Sequence, residues 1–323
     1  MGWLTNRSRR VLDSINPRSV YACYFVPWLA LTARHRIGKD IFDEEWDLVV
    51  ILDACRVDAL REVANEYDFL DDVHAELSMG SSSKEWMVNT FHETNKEKIN
   101  DTVYVTANAW AEQVLDDTVS FTGWTVTNGT FVEGNQLVER LAYRPTVTKA
   151  DFRDVIEQPL SNVGGIDGFP AEQLTDFAIE AGRKYNDSRM IVHYMQPHAP
   201  FLHHVANGEQ PDNIDEKPLE ALNDIQDRKI VREGYVDNLR YVLDNIEILL
   251  ENFDGNVLIT ADHGEMLGKR LHGHGEGIPH PKLRWVPWVR TTATDSKTRD
   301  PDVEISEGVS EDIDTRLSAL GYI

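Results

Sequence analysis

At 323 residues the chain is long enough for one large α/β core, and 55 acidic against 32 basic side chains give it a net charge of -23. That balance argues against nucleic-acid binding, whose affinity comes from Lys and Arg on phosphates, and fits a protein kept soluble at high salt by self-repulsion and hydration. Two cysteines, Cys23 and Cys55, make neither a disulfide framework nor a zinc motif.

Basic residues crowd the N-terminus (Arg7, Arg9, Arg10, Arg18), and an apolar run over residues 20–33 follows. With 14 residues and Pro27 inside it, the run is short of the roughly 20 residues that span a bilayer, and its likeness to a signal sequence is superficial. Residues 1–45 are therefore expected to form a helical arm. The arm either packs on the core or makes peripheral membrane contact through residues 20–33. The expected location is cytoplasmic, with membrane association as the alternative.

The first strand is expected at residues 46–53. It is apolar on both faces, as a central parallel strand is, and it ends in Asp53 before a helix reaching about residue 66. Strand carboxyl ends are where α/β folds place ligands. Next, Gly80 and the serines Ser81, Ser82 and Ser83 precede Glu85 and an amphipathic run. One reading is a simple helix cap. The other is a nucleophilic hydroxyl at a helix N-terminus, where backbone N–H groups and the dipole favour an anion.

Residues 102–107 read as a strand ending at Asn108, and 109–165 as irregular. A helix is expected over 170–185, with an apolar stripe at Leu174, Phe177, Ala178 and Ala181. The strand at 189–195 runs into a turn in which Pro197 and Pro200 bracket His198 and stiffen its presentation. Residues 203–222 read as loop, and 225–252 as one long helix or two in succession.

Residues 257–261 then form a short apolar run that ends abruptly in Asp262-His263-Gly264-Glu265. Gly264 lets the backbone turn sharply away. An oxygen and an imidazole nitrogen at a strand tip suit a hard or borderline cation, and Asp53 at a second tip supplies another ligand. A glycine- and histidine-rich loop over 271–281 carries His272 and His274, and residues 285–289 read as the last strand.

In this order the motifs resemble the alkaline-phosphatase superfamily. The branch is the sulfatase-like one, with sulfatases, phosphonate monoester hydrolases and phosphoglycerol transferases of the lipoteichoic-acid-synthase kind. The resemblance covers roughly residues 46–323, expected to be one catalytic domain. Val49-Val-Ile-Leu-Asp53-Ala-Cys-Arg56-Val-Asp58 is similar to the first metal-binding strand and its turn. Gly80-Ser-Ser-Ser83-Lys-Glu-Trp86 sits where the nucleophile loop belongs. His193-Tyr-Met-Gln-Pro-His198-Ala-Pro-Phe201 is similar to the substrate-side His turn. Asp262-His263-Gly264-Glu265 looks like the second metal motif, and Gly273-His274-Gly275 like the position of a substrate-facing Lys or His. Leu283-Arg284-Trp-Val286-Pro287 and the C-terminal Leu-Gly-Tyr also fit.

Two departures matter. Sulfatases oxidise a Cys or Ser to formylglycine within Cys/Ser-x-Pro-x-Arg, whereas Ser83 precedes Lys84, Glu85, Trp86 and Met87. Two-metal members carry an Asp and a His four residues apart on the strand-end loop, where this chain has Gln196-Pro197-His198.

The resemblance implies an α/β fold: a largely parallel central sheet with helices on both faces, alkaline-phosphatase-like. It implies metal-dependent hydrolysis or transfer of a phosphate ester, more readily a diester. Asp53, Ser83, Asp262 and His263 would hold one divalent ion (Mn, Mg, Zn or Ca). Ser83 would attack in line, with Ser81 and Ser82 as register alternatives. His198 and His274 would bind non-bridging oxygens or protonate the leaving group. Arg56, His272 and Ser82 would contact substrate, with a core carboxylate as the alternative partner of Arg56. The substrate would be a small-molecule, lipid-headgroup or glycan ester. The alternatives are a true sulfatase and a catalytically inactive binding module.

Overall fold

Leu48–Leu52 is an unbroken aliphatic run, buried along its whole length, and such a run is stable only between other strands. It is β1 of a seven-stranded sheet with β2 (His74–Leu77), β3 (Thr102–Thr106), β4 (Asp154–Glu157), β5 (Arg189–Tyr194), β6 (Gly255–Thr260) and β7 (Trp285–Ala293). The spatial order is β2–β7–β6–β1–β5–β3–β4, and only β7 runs antiparallel to its neighbours. The computed structural model describes residues 17–116, 132–222, 227–268 and 271–303, with positions 124, 125, 128, 130 and 305. The basic residues Arg7, Arg9 and Arg10 and the C-terminal Leu-Gly-Tyr lie outside the described residues.

The sheet is flanked by helices: α1 (Pro17–Thr32), α2 (Val57–Val63), α3 (Ser83–Thr90), α4 (Gln136–Ala142), α5 (Ala171–Lys184) and α6 (Asp227–Leu250). The stripe on α5 buries Leu174, Ala178 and Ala181 against the sheet, and α6 is one continuous helix packed on α2 and α5.

Two strands of the main sheet escape the sequence reading, as do the two short ribbons Ser161–Val163/Ile166–Gly168 and Met266–Leu267/His272–Gly273. Residues 109–165 are not irregular throughout, since β4 joins the sheet beside β3 and two helices, Trp110–Val114 and α4, form on either side of residues 117–123. β2 pairs with β7 at the opposite edge. Both are four-residue edge strands, Asp-Val-Ile-Glu and His-Ala-Glu-Leu, half exposed and therefore without the continuous apolar run that marks β1. Residues 203–222 are likewise not plain loop but carry three single-turn helices, His203–Ala206, Asn213–Glu216 and Pro218–Ala221. Their shortness leaves no periodic apolar pattern to read.

The N-terminal arm is helical from Pro17 to Thr32 and shares the main core. Phe25 and Leu29 are buried in it, and the Phe25 ring meets Trp124 edge-on at 5.7 Å.

Candidate active site

The parallel register brings the carboxyl ends of β1, β3, β5 and β6 to one edge of the sheet. Ile51 lies beside Thr260 and His193, and His193 beside Thr106. Asp53 follows β1 directly, Asp262 comes two residues after β6, and Asn108 two residues after β3. Each turn residue is thus aimed at the same point by a strand that the core holds rigid.

Asp53, Asp262 and His263 converge there, all fully buried, with one ligand atom from each lying within 4.8 Å of the others. Asp53 Oδ2 accepts from Asn108 Nδ2 at 2.7 Å and from Ser83 Oγ at 3.3 Å. Asp262 Oδ1 accepts from the amides of His263 (2.7 Å) and Ala54 (3.1 Å), and its backbone oxygen accepts from Ser78 Oγ. The other two oxygens, Asp53 Oδ1 and Asp262 Oδ2, have no hydrogen-bond partner among the described residues. His263 Nε2 lies 3.5 Å from each of them and 3.2 Å from Ser83 Oγ. Because His263 Nδ1 lies 2.8 Å from the Gly264 carbonyl, which can only accept, the proton sits on Nδ1 and the Nε2 lone pair faces the centre.

Two buried carboxylate oxygens without donors are costly unless a positive charge sits between them. Burial, and then repulsion from Asp262, raises Asp53 well above the usual carboxylate range. Burial pushes Asp262 the same way, yet His263, His193 and Ser83 hold it well below that range. Burial also lowers His263, which keeps its imidazole neutral. Two carboxylate oxygens, a neutral imidazole and a hydroxyl fit a divalent cation.

The serine run divides its labour. Ser82 caps α3, accepting from the Glu85 amide at 3.3 Å. Ser81 Oγ lies 2.8 Å from both Glu85 Oε2 and the Gly275 carbonyl. Ser83, the first residue of α3, is the one turned toward Asp53 and His263. Gly80 is required by space, because a Cβ there would lie 2.2 Å from the Trp86 nitrogen.

A second cluster adjoins the first. His198, Glu265 and His274 have ligand atoms within 4.8 Å of one another, and the His274 ring lies 4.3 Å from that of His263 and 5.2 Å from that of His198. Glu265 Oε2 lies 3.0 Å from His274 Nδ1. Burial works against a charged His274, but Glu265 raises it above the ordinary value. Burial, then His274, pushes His198 down to about 4. Glu265 thus favours the charged form of His274, while burial favours the neutral forms of His198 and His263. His198 Nδ1 is held 2.6 Å from the Ala199 carbonyl, and both flanking X–Pro bonds are cis.

Arg56 stays beside the site, its Cγ 3.5 Å from where a Cβ on Gly264 would sit. The Arg56 guanidinium is bound to Asp58 at 2.6 and 2.8 Å, a carboxylate of its own turn. His272 is exposed on a two-stranded ribbon, paired with Leu267. The glycine of Asp-His-Gly does not serve a left-handed turn, as its φ is not positive. It serves a close approach: a Cβ on Gly264 would sit 2.1 Å from the Lys282 carbonyl. Three site residues carried no assigned role. Asn108 donates to Asp53, Glu265 orients His274, and the buried His193 has Nδ1 2.9 Å from the Tyr104 hydroxyl and Nε2 3.6 Å from Asp262 Oδ2. A histidine within the apolar strand Met190–Tyr194 was the available signal for the last of these.

A largely parallel sheet with this constellation at its carboxyl edge makes the molecule an α/β protein with its candidate site at the strand ends, and several solved structures are similar to it in fold. One is the C-terminal periplasmic domain of phosphoethanolamine transferase EptC from Campylobacter jejuni. That likeness has 15% identity and a TM-score of 0.46, and covers 75% of this chain and 77% of that one. Another is the integral membrane lipooligosaccharide phosphoethanolamine transferase A from Neisseria meningitidis, at 13% identity and TM-score 0.45. The likeness covers 78% of this chain but only 48% of that one, so the chain spans about half its length. A third is an alkaline-phosphatase-superfamily protein from Vibrio parahaemolyticus, at 13% identity and TM-score 0.41, covering 85% and 70%. At these identities the likeness is one of fold. No protein-family model and no curated protein matches the sequence.

Proposed function

We propose that the protein is a metal-dependent enzyme of phosphate esters, acting on a phosphodiester through Ser83. The observation that carries this is the convergence of two donorless buried carboxylate oxygens and a neutral imidazole lone pair around one serine hydroxyl. Asp53, Asp262, His263 and Ser83 would hold the divalent ion, which when bound polarises phosphoryl oxygens and lowers the pKa of the attacking hydroxyl.

The chain's own groups supply the rest. Ser83 Oγ gives its proton to a neighbouring base and attacks in line, forming a Ser–O–P bond as the bond from phosphorus to the leaving oxygen breaks. Charged His274, fixed by Glu265, is placed to hold a non-bridging oxygen or to give a proton to the departing alkoxide. Neutral His198 offers its Nε2 side to the same region. Water then completes hydrolysis, or an acceptor alcohol completes transfer. Ser83 lacks the Pro and Arg that serine oxidation needs, so the reading is an unmodified hydroxyl and phosphorus rather than sulfur. A lipid-headgroup or glycan ester is the substrate class that the sequence resemblance implies.

The test is hydrolysis of bis(p-nitrophenyl) phosphate with added Mn, Mg, Zn or Ca. Ser83→Ala should lower the rate by about a thousandfold or more with little change in melting. Ser82→Ala, which removes a cap, should cost about 1 kcal/mol of stability and leave most of the rate. Near-full activity in Ser83→Ala would sink the assignment, and an oxidised serine in the intact mass would restore the sulfatase alternative.

A further inference from the structure

Helix α1 is apolar on both sides. Its inner face carries Ala22, Phe25 and Leu29 into the core. Its outer face, at helical spacing, carries Val20, Cys23, Tyr24, Pro27 and Leu31, all exposed. Val20, Tyr24 and Leu31 are 57%, 39% and 47% accessible, values that have no use in a helix serving only the core. Helix α4 packs against α1 and exposes Leu137 (66%), and Tyr143 just after it is 48% accessible.

Charge marks the same end of the chain. The first 39 residues hold seven basic side chains and one acidic, a net +6, so the rest of the protein carries -29. The exposed Arg34 follows the stripe directly. In a molecule otherwise this acidic, the basic segment coincides with the exposed apolar one. An apolar face joined to a basic cluster is the pairing that holds a helix in the plane of an anionic bilayer, because neither signal alone gives stable anchoring. Among the described residues no helix is long and apolar enough to cross a membrane.

We propose that α1 seats the protein on an anionic lipid surface through the Val20–Tyr24–Leu31 stripe, with the flanking arginines on lipid phosphates. The consequence for the site is direct. Tyr21 and Tyr24 donate to the carbonyls of Glu276 and Gly277, and Trp28 Nε1 donates to Glu85 Oε1 at 2.9 Å. The docking helix therefore backs onto the loop bearing His274 and onto α3 bearing Ser83. Surface binding goes beyond the reaction assigned above and does not depend on it.

The experiment is flotation of the full chain with vesicles of phosphatidylcholine and phosphatidylglycerol (3:1) or phosphatidylcholine alone, at low and molar KCl. At low salt the bound fraction should be about tenfold higher on the anionic vesicles. Val20→Ser/Leu31→Ser should lower it about tenfold, with melting and bis(p-nitrophenyl) phosphate hydrolysis unchanged. Molar salt should remove the preference between the vesicles and keep the apolar part of the binding. Cys23 lies on the stripe and Cys55 is buried, so a polarity-sensitive dye on Cys23 gives a second readout without altering the fold. Its emission should shift to the blue on the anionic vesicles. Failure of the wild type to float, flotation indifferent to the double variant, an unshifted dye, or a dimer that the double variant dissolves would each overturn the proposal. A protein that floats but does not hydrolyse the phosphodiester would overturn the reaction and leave the surface standing.

Discussion

Asp262 gives one oxygen to the amides of Ala54 and His263 and keeps the other turned to the centre, without a donor. An amide can keep the first role and loses the charge needed for the second. Asp262→Asn is therefore expected to fold normally and to purify with bound divalent metal reduced from about one per chain to near zero. Mass-spectrometric metal counting checks this, and unchanged occupancy would move the ion elsewhere. Lys84 poses a separate question of charge. It is buried beside Ser83, its Nζ 3.7 Å from Glu276 Oε1 and 3.7 Å from the Trp110 ring centre. Burial, only partly offset by Glu276, pushes it down to about 8 from 10.5. Between those values the unfolded chain binds more protons than the folded one, so stability rises with pH across that window. Relative to Lys84→Met, the wild type should gain stability from about pH 8 upward and keep the gain above pH 10.5. Urea melts of both proteins at pH 7, 9 and 10.5 would show it, and parallel curves would refute it.

Glu85 shows how the elements hold one another. Read from the sequence it closes a helix cap, but in the fold its carboxylate also accepts from the Ser81 amide, the Gly277 amide and the Trp28 indole. It ties α1, the serine loop and the glycine-rich loop together across about 190 positions of sequence. Asp53, Asp262 and His263 were legible because each ends a strand whose apolar run is itself legible. In the sequence Asn108 reads as a strand end and His193 as part of a strand, and only the three-dimensional register turns them toward the carboxylates. Contacts such as Phe25 with Trp124 and Tyr24 with Gly277 have no local signature at all, which is why packing and membrane contact stayed alternatives for the arm. The inner face of α1 permits a sharp test of integration. Phe25→Ala should lower global stability by about 3–5 kcal/mol, as for other buried aromatic truncations. A change under about 1 kcal/mol would show an arm that melts independently of the core.

At the scale of the molecule, the net charge of -23 sets the conditions under which everything above is measured. Repulsion among 55 carboxylates weakens the compact state when it is not screened, since the screening length grows from about 3 Å at molar salt to about 30 Å in dilute buffer. The melting temperature should therefore climb clearly between 10 mM and 2 M KCl, and a flat or falling trend would remove the expectation of adaptation to salt. The depth of the site has a consequence in time rather than in energy. Asp53, Ser83, Asp262 and His263 each have no accessible surface, so nothing reaches them without displacement of a wall. An ion seated among them leaves only as often as the wall opens, and a chelator in excess waits for that event. Progress curves after chelation should then have a rate constant independent of chelator concentration, set by the opening of the wall together with the release of the ion through it.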